Sequence, residues 1–280
     1  MPLQFHEDRH TVEVDVQHQS TIGSRHQLIA GGQYRVSTAS AIGAAGFFFE
    51  PEERTNNVGG LFVQDEIALK PRLFLTVGSK FEGNDYTGFE VQPTARLRWS
   101  RGASQTLWGA MSRAVRLPTR FDTDLRILTP SGALFIRGNE DFESESVVAY
   151  EAGYRIRPHS RVALDVAGFA NRYDNLRSQE FPSRFGAVVL LGNTLNAVTS
   201  GVEAAATVQV VDRWRLQGSC SYLHKDLSFD EGSRDMSRGL SEGNDPSFFF
   251  KLRSYLDLPH GLAVDGFFRY VDDRPAPVVP

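Results

Sequence analysis

The chain has 280 residues, of which 41% are hydrophobic and 23% charged, a composition that is typical of a folded protein and excludes a disordered one. Its 30 Lys and Arg residues against 34 Asp and Glu residues give a formal net charge of -4 without a basic block, so no nucleic-acid partner is expected. The single cysteine, Cys220, cannot form an internal disulfide and lacks neighbours at metal-binding spacing, which indicates a packing residue.

The N-terminal sequence MPLQFHEDRH lacks the basic start and apolar stretch of a signal peptide. An exported protein needs one, so either this protein stays inside the cell or its true beginning is missing. The longest apolar runs, Ala41–Phe49 and Gly186–Gly192, are far shorter than the roughly 18 residues of a membrane helix. A helical membrane protein is therefore excluded, whereas a membrane β-barrel, with its alternating strands, is not.

Apolar residues recur at every second position along most of the chain, which is the period of a β-strand. Near the N-terminus, Val12, Val14 and Val16 alternate with polar residues, and in FEVQPTARLRWS (89–100) only Pro93 interrupts the alternation. The Ala-rich segment GVEAAATVQVV keeps the same period, so we predict a strand there also. The pattern predicts about twelve strands, near residues 9–19, 25–36, 57–69, 72–84, 87–100, 105–116, 146–157, 161–174, 195–211, 214–228, 247–258 and 261–271.

The predicted strands and their connections are typical of an outer-membrane barrel. Many strands reach the roughly nine to eleven residues that cross a bilayer. Tight turns such as TIGS (21–24) alternate with long loops, as the two rims of such a barrel do, and structureless long loops are uncommon in compact soluble domains. The long loops are expected at Ser37–Asn56, Leu117–Glu145, Asn175–Leu191 and Phe229–Pro246.

Six strings of the sequence follow one another: GGLFVQDEIAL (59–69), VQPTARLRWS (91–100), TLWGAMSRAVRLPTRFD (106–122), AYEAGYRIRP (149–158), EGNDPSFFFKLRSYLDLP (242–259) and FFRYVDDRPAPVVP (267–280). In this order they resemble the C-terminal barrel half of TonB-dependent outer-membrane receptors. The pairing of FVQDE with the later SRAVRLPT is the most specific part of the resemblance, which covers most of the chain from about Asn57 onward.

The resemblance implies an all-β fold, an antiparallel up-and-down transmembrane β-barrel of about 22 strands, in the outer membrane of a Gram-negative bacterium. It also implies import of a scarce small-molecule or metal-chelate ligand, such as a ferric siderophore, cobalamin or a saccharide. The implied partners are outer-membrane lipid, an N-terminal plug domain and the TonB energy-transducing complex.

The chain departs from the family pattern in three respects. Residues 1–280 form one domain with about 12 strands, without a plug domain or an energy-coupling box. The chain stops at Pro280 in a predicted loop, without the final strands and terminal aromatic residue of the family. We therefore expect an incomplete barrel whose two open edges are not tolerated in lipid, so that this chain alone neither inserts correctly nor transports.

Arginine provides most of the positive charge, and its planar fork suits ligands that carry carboxylate or phosphate groups. In the long loop regions, four arginines are expected at the extracellular mouth and are the candidate ligand-binding residues: Arg116, Arg120, Arg126 and Arg137.

Other chemistry is not indicated by the sequence. The loop strings FDTDLR (121–126) and NEDFESE (139–145) are acidic but lack the Gly and terminal Glu of an EF-hand, so a solvated acidic loop is expected and no metal site. No GxSxG or HExxH motif occurs and no pair of carboxylates stands out, so neither an enzyme nor a cofactor is expected.

Two other readings remain open. A complete twelve-stranded barrel, acting as a passive channel or an outer-membrane enzyme, requires the last strand to close on the first, against which the stop at Pro280 argues. A soluble periplasmic or surface β-sheet protein that binds sugars requires the apolar positions to be buried and the loops not to alternate so regularly between short and long. Cell fractionation separates this last reading from the others.

Overall fold

A computed structural model describes residues 4–44, 46–181, 188–239 and 245–273. Within these ranges the chain is nearly all strand, and no helix is long and apolar enough to span a membrane. The long strands are β1 (His6–Ile22), β2 (His26–Ile42), β4 (Glu53–Lys70), β5 (Leu73–Asn84), β6 (Gly88–Arg101), β7 (Gln105–Arg116), β10 (Glu145–His159), β11 (Val162–Glu180), β12 (Val189–Val211), β13 (Trp214–Phe229), β14 (Phe248–Asp257) and β15 (Ala263–Val271). The short elements are β3 (Phe47–Phe49), the helical turn α1 (Arg120–Thr123), β8 (Leu125–Leu128), β9 (Leu134–Arg137) and a 3₁₀ turn at Pro259–Gly261.

The long strands form one antiparallel up-and-down sheet, in the order β1-β2-β4-β5-β6-β7-β10-β11-β12-β13-β14-β15. Each long strand pairs with the next one along the chain, as tight turns at one rim require. Over the described residues, β1 pairs only with β2 and β15 only with β14, so the sheet is open. This confirms the predicted fold class, an incomplete up-and-down barrel with about twelve long strands.

The register places the apolar positions of neighbouring strands on the same face. Val14 lies opposite Tyr34, and further along the sheet Tyr150 lies opposite Met111. A slip of one residue in any strand pair would move the apolar side chains of one strand to the opposite face of the sheet. The observed register avoids this and agrees with the alternation in the sequence. We call this side the outer face and the opposite side, which carries the charged positions of the strands, the luminal face.

The outer face is apolar and open. Val12 is 69% exposed, and Leu61 and Phe89 are each 67% exposed. Single exposed apolar side chains are ordinary, but a continuous apolar face across many strands is too large for a surface in contact with water. Its alternation with a charged luminal face matches a barrel wall that meets lipid.

The strands extend further into the loop regions than the sequence indicates. β12 begins at Val189, not near residue 195, and β11 continues to Glu180. The loops expected to be structureless also contain β3, α1, β8 and β9. β3 pairs with β8, across more than 70 residues of sequence, so no local alternation reveals it. Parts of two predicted loops, residues 182–187 and 240–244, and the chain end at 274–280 lie outside the described residues.

Pro93 limits the pairing of β6 with β7. The ladder between these strands runs only from Thr94 to Arg101, because proline has no backbone N–H to donate. Beyond Pro93, side chains replace the ladder: Arg113 Nη1 donates to the carbonyl oxygen of Val91 at 2.6 Å. Pro93 thus remains part of β6, but residues 88–93 of this strand have no strand pairing to β7.

Compact packing is concentrated at the rim that carries the long loops. A buried apolar cluster joins side chains from strands and loops that are distant in sequence, and it fixes the loops over the end of the sheet. Its buried members are Ala41, Phe49, Leu125, Phe142 and Leu191.

Candidate functional site

Arg116 lies where β7 ends at the long-loop rim, directly opposite Glu145, the first residue of β10. Its Nε and Nη2 donate to the two carboxylate oxygens of Glu145 at 2.7 and 2.6 Å, in the paired geometry that gives the strongest Arg–carboxylate contacts. Its Nη1 donates to Asp122 Oδ2 at 3.0 Å. Arg116 therefore ties the ends of two strands to the turn α1.

Asp122 is fully buried, with 0% of the residue exposed. Its Oδ2 accepts hydrogen bonds from the backbone N–H and the hydroxyl of Thr119, both at 2.9 Å, which fixes the start of α1. Its Oδ1 has no hydrogen-bond partner among the described residues and lies 3.7 Å from Arg177 Nη1. Arg116 and Arg177 supply positive charge beside this carboxylate, which offsets part of the cost of removing it from water.

Asp124, two residues further on, is also buried, at 1% exposed. It forms ion pairs with Arg54 of β4 and with Arg120, whose Nε lies 3.2 Å from Asp124 Oδ2. Thr123 Oγ1 donates to Asp124 Oδ1 at 2.7 Å. Two buried carboxylates from one short turn are thus neutralised by arginines from several strands.

Arg120 is buried at 5% exposed, and its donors are used inside the protein. Besides Asp124, its guanidinium donates to the carbonyl oxygens of Ala39, Pro51 and Glu52 and lies 4.8 Å from the centre of the Phe49 ring. These contacts join α1 to the ends of β2 and β4. The ion pairs form two groups, one around Asp122 and one around Asp124, which are held together by α1. We call them together the mouth ion-pair network; it comprises Arg54, Arg116, Arg120, Arg177, Asp122, Asp124 and Glu145.

Tyr86, in the turn between β5 and β6, borders this network. The guanidinium of Arg54 lies 4.8 Å from the centre of its ring. Burial raises the pKa of Tyr86 above its ordinary value of 10.0, and this effect outweighs the nearby positive charge of Arg54, which lowers it. The phenol is thus kept neutral beside the network.

Arg126 and Arg137 lie together on the hairpin of β8 and β9, where they are direct cross-strand partners. The Arg126 side chain is 12% exposed, and its Nε donates to Glu50 Oε2 at 3.1 Å. Arg137 is exposed, and no hydrogen bond or ion pair of its side chain occurs within the described part of the chain. The hairpin therefore presents one paired and one open guanidinium.

The four arginines selected from the sequence thus fall into two groups at the predicted rim: Arg116 and Arg120 in the network, Arg126 and Arg137 on the hairpin. The expected solvated acidic loop is wrong for its first part, because Asp122 and Asp124 are buried. Two members of the network, Arg54 and Arg177, were missed, because each comes from a distant strand and no local motif marks it.

Comparison with known proteins agrees with this geometry. Residues 3–277 match the family described as TonB dependent receptor-like, beta-barrel. The chain belongs to this family. Its members are transporters and not enzymes, so the predicted TonB-dependent receptor barrel and the absence of an enzyme function are confirmed.

Two curated relatives are receptors or outer-membrane proteins. The chain is 25% identical over 192 residues to the ferric enterobactin receptor PirA of Pseudomonas aeruginosa, which covers 63% of this chain and 26% of the relative. It is 25% identical over 180 residues to an iron-regulated outer membrane virulence protein of Vibrio cholerae, covering 59% of this chain and 27% of the relative. The chain thus spans about a quarter of the length of these relatives.

Solved structures share the fold over a larger part of the chain. The siderophore receptor PirA from Pseudomonas aeruginosa superimposes with a TM-score of 0.71 at 18% identity, covering 95% of this chain and 49% of the receptor chain. The FrpB iron transporter from Neisseria meningitidis superimposes with a TM-score of 0.75 at 14% identity, covering 95% of this chain and 43% of the transporter chain. The part of the chain in the open sheet therefore corresponds to a little under half of each of these longer protein chains.

Proposed function

We propose that this chain forms part of the wall of an energy-coupled outer-membrane transporter that imports a ferric siderophore. The observation that carries the proposal is the continuous apolar outer face of the sheet. The opposite, luminal face is charged, and the long loops pack together at one rim. Membership of the family supports transport, and the names of the relatives favour ferric siderophores over cobalamin or saccharides. The location is the outer membrane of a Gram-negative bacterium.

The proposed partners follow from the same assignment. Outer-membrane lipid covers the outer face, because an apolar face of this extent is stable against lipid tails and not against water. A plug domain and the TonB complex supply gating and energy in the complete transporter. The ligand is a metal chelate that approaches from the rim where the long loops are packed.

The arginines at the rim have two proposed roles. Arg137 has an open guanidinium and can contact an anionic chelate directly. Arg116 is 41% exposed at its side chain, but its three nitrogens donate to Glu145 and Asp122, so it adds positive charge to the ligand site from within the network. Arg120 and Arg126, whose donors are used within the protein, hold the loops and bound the ligand site from beneath. Binding at Arg137 leaves the mouth ion-pair network intact.

Iron uptake tests the transport proposal. Cells that lack the complete gene should fail to take up labelled iron from ferric enterobactin, and re-expression of the complete gene product should restore uptake. A protonophore should stop uptake while surface binding persists, because the energy comes from the inner membrane. Uptake that is unaffected by deletion of the gene, for any ferric siderophore offered, would exclude the proposed transport.

Substitution of Arg137 tests the ligand site. Arg137→Ala should weaken binding of the chelate by roughly ten- to a hundredfold, because a hydrogen bond to a charged group contributes about 1.5–3 kcal/mol. The matched control is Arg101→Ala, which removes an exposed arginine at the opposite rim. Equal binding by both variants would show that Arg137 does not contact the ligand.

A further inference from the structure

Four of the six tight turns of the sheet end in an arginine. The turns lie at the rim opposite the long loops, which we call the tight-turn rim, and they are residues 23–25, 71–72, 102–104, 160–161, 212–213 and 259–261. We call the arginine that ends a turn, directly before the next strand, a turn arginine; these are Arg25, Arg72, Arg161 and Arg213. Asp212 is the one acidic residue in the six turns, all of which the structure describes, so this rim is basic.

The backbone of each turn arginine is fixed by the same kind of hydrogen bond. Its carbonyl oxygen accepts a hydrogen bond from a backbone N–H of the neighbouring strand, at 2.8 Å in all four turns. The donors, in the order of the arginines, are Ala68, Ser100, Gln209 and Asp257. Every residue type has such a carbonyl oxygen, so the fold of the turns does not require arginine at these positions.

Arg72 has a backbone conformation that favours a different residue. Its φ is +73°, in the left-handed region that glycine adopts most easily because it has no Cβ atom. Glycine is the residue with positive φ in two of the other turns, at Gly23 and Gly102. A long basic side chain at such a position indicates a role for that side chain beyond the fold of the turn.

The side chains of the turn arginines are exposed and mostly without ion pairs. Arg161 donates to Asp212 Oδ1 at 2.7 Å. Arg25, Arg72 and Arg213 form no ion pair within the part of the chain that the structure describes. The turns therefore leave most of the positive charge of this rim available to a partner outside the protein.

Two tryptophans indicate where the tight-turn rim lies in the membrane. Trp99, on the outer face and 42% exposed, lies opposite Leu73, the residue after Arg72. Trp214 directly follows Arg213, and its Nε1 donates to Ser254 Oγ at 2.9 Å. Tryptophan is enriched at the boundary between hydrocarbon and headgroups, and barrels carry aromatic girdles there. Turns that follow such residues directly lie in the headgroup layer.

We propose that the turn arginines bind the phosphate groups of anionic phospholipids, such as phosphatidylglycerol, in the membrane leaflet at the tight-turn rim. The guanidinium fork matches the oxygens of a phosphate group. Arginines that recur from turn to turn along the rim suit separate headgroups around the wall better than one compact ligand. The proposal goes beyond transport, and it rests on the proposed function only in that this function places the sheet in the outer membrane.

Native mass spectrometry tests the proposal, because it shows which lipids a protein keeps when it leaves the detergent. The complete gene product in a neutral detergent would be titrated with phosphatidylglycerol, or with phosphatidylethanolamine that has the same acyl chains. We expect phosphatidylglycerol to be retained at the lower lipid concentration, and this preference to shrink as salt is added, because salt screens exposed charges. Equal retention of the two lipids would overturn the proposal.

A combined variant tests the turn arginines themselves. It carries Arg25→Gln, Arg72→Gln, Arg161→Gln and Arg213→Gln. Glutamine keeps the carbonyl oxygen that fixes each turn, so we expect the variant to fold and to show heat-modifiable migration in electrophoresis. A basic residue near an anionic membrane surface strengthens binding about fivefold, so phosphatidylglycerol should bind the variant at least about tenfold more weakly.

The matched control loses the same amount of positive charge elsewhere. It replaces with glutamine four exposed arginines that are distant from the tight turns: Arg9, Arg35, Arg172 and Arg234. We expect it to retain phosphatidylglycerol as the unsubstituted protein does. An equal loss of binding in both combined variants, or a loss in neither, would overturn the proposal. Displacement of the lipid by polyglutamate would identify an acidic polypeptide as the occupant and would also overturn it.

The lipid preference is measured on the unsubstituted protein, so it decides the question even if the combined variant fails to fold. It is also independent of iron uptake. Loss of uptake with a preserved lipid preference would remove only the transport proposal, whereas uptake without a lipid preference would remove only the lipid proposal.

Discussion

Basic side chains at the mouth and on the luminal face of the last three strands have opposite kinds of neighbour. We call the second group the luminal basic stripe; it comprises Arg215, Lys251, Arg253 and Arg269. At the mouth, Arg116 and Arg120 each have a carboxylate within hydrogen-bonding distance. In the stripe, Arg253 and Arg269 have aromatic neighbours and no carboxylate within the described residues. An arginine on a barrel wall therefore cannot be assigned a role from its position alone; its neighbours, a carboxylate at the mouth and an aromatic ring in the stripe, have to be known.

The two regions also differ in how the chain builds them. The network joins residues from strands and loops far apart in sequence, and buries Asp122 and Asp124. The stripe follows from the two-residue period of adjacent strands, which sets Lys251 opposite Arg269 on an exposed face. In the network, burial strengthens the interactions between charges, so the stability of each charge depends on its partners. In the stripe, water weakens the repulsion between the basic groups, so each of them can remain charged without an ion-pair partner.

The largest expected effect comes from Asp122→Asn. It leaves Arg116 without one of its two carboxylates and Arg177 without its ion pair, and loss of one partner in a buried ion pair costs about 3–5 kcal/mol. We expect the loop at 117–144 to be cleaved faster by protease in intact cells. The control is Asp141→Asn, an exposed position in the same loop. Equal cleavage rates would show that the buried network does not hold the loop.

Arg120→Lys is expected to have a smaller effect. Lysine keeps the charge but cannot reach Asp124 and the carbonyl groups of Ala39 and Glu52 together, so we expect a loss of about 1–3 kcal/mol. Hydrogen exchange should increase at the N–H of Ala41, which donates to the carbonyl oxygen of Glu52 at 3.0 Å. Arg137→Lys, on the exposed hairpin, should leave that exchange unchanged, and unchanged exchange in both variants would contradict the prediction.

Arg269→Glu should convert part of the stripe into an arrangement like that of the mouth. The new carboxylate would lie opposite Lys251, and a cross-strand pair of opposite charges contributes roughly 0.2–1 kcal/mol. A carbodiimide joins a lysine amine to a carboxylate in contact with it, with loss of one water, so we expect it to join Lys251 to this carboxylate in a peptide identified by mass spectrometry. Arg155→Glu, which breaks the pair with Asp165, serves as the control and should leave Lys251 coupling unchanged.

The smallest expected effect concerns pH at the edge of the network. Because the folded state raises the pKa of Tyr86 above 10.0, the unfolded chain loses this proton first, and stability should decline as the pH rises above about 10 through the folded-state pKa. Tyr86→Phe should remove that part of the decline, measured as the pH dependence of thermal unfolding at alkaline pH. A decline of the same size in both proteins would show that Tyr86 does not contribute.

The sheet could be predicted from the sequence because each strand carries its own evidence. In Phe89–Ser100, the alternation gives both the strand and the face that each side chain occupies, and β6 extends from Gly88 to Arg101. The tight turns indicate which strands are neighbours, since short connections allow only antiparallel pairing. These are local signals, and the structure agrees with them.

The site was only partly predictable, because its contacts are not local. Arg54 and Asp124 are 70 residues apart, and nothing near Arg54 indicates that it neutralises a buried carboxylate. The string FDTDLR resembles any polar loop, yet it forms part of α1 and the start of β8, and β8 pairs with the distant strand β3. Exposure of a loop residue depends on the fold of other loops, so sequence alone identified the rim but not the burial of Asp122.

Pro93 also affects the mechanics of the wall. Below it, β6 and β7 are joined by a regular ladder, while above it the two strands are connected through side chains such as Arg113. Near the rim, β6 and β7 are therefore joined by side-chain contacts, which are softer than the backbone ladders that join β6 to β5 and β7 to β10. The wall is therefore most compliant between β6 and β7 near the long-loop rim, and we expect the rim to bend there first when the loops are pulled or pushed.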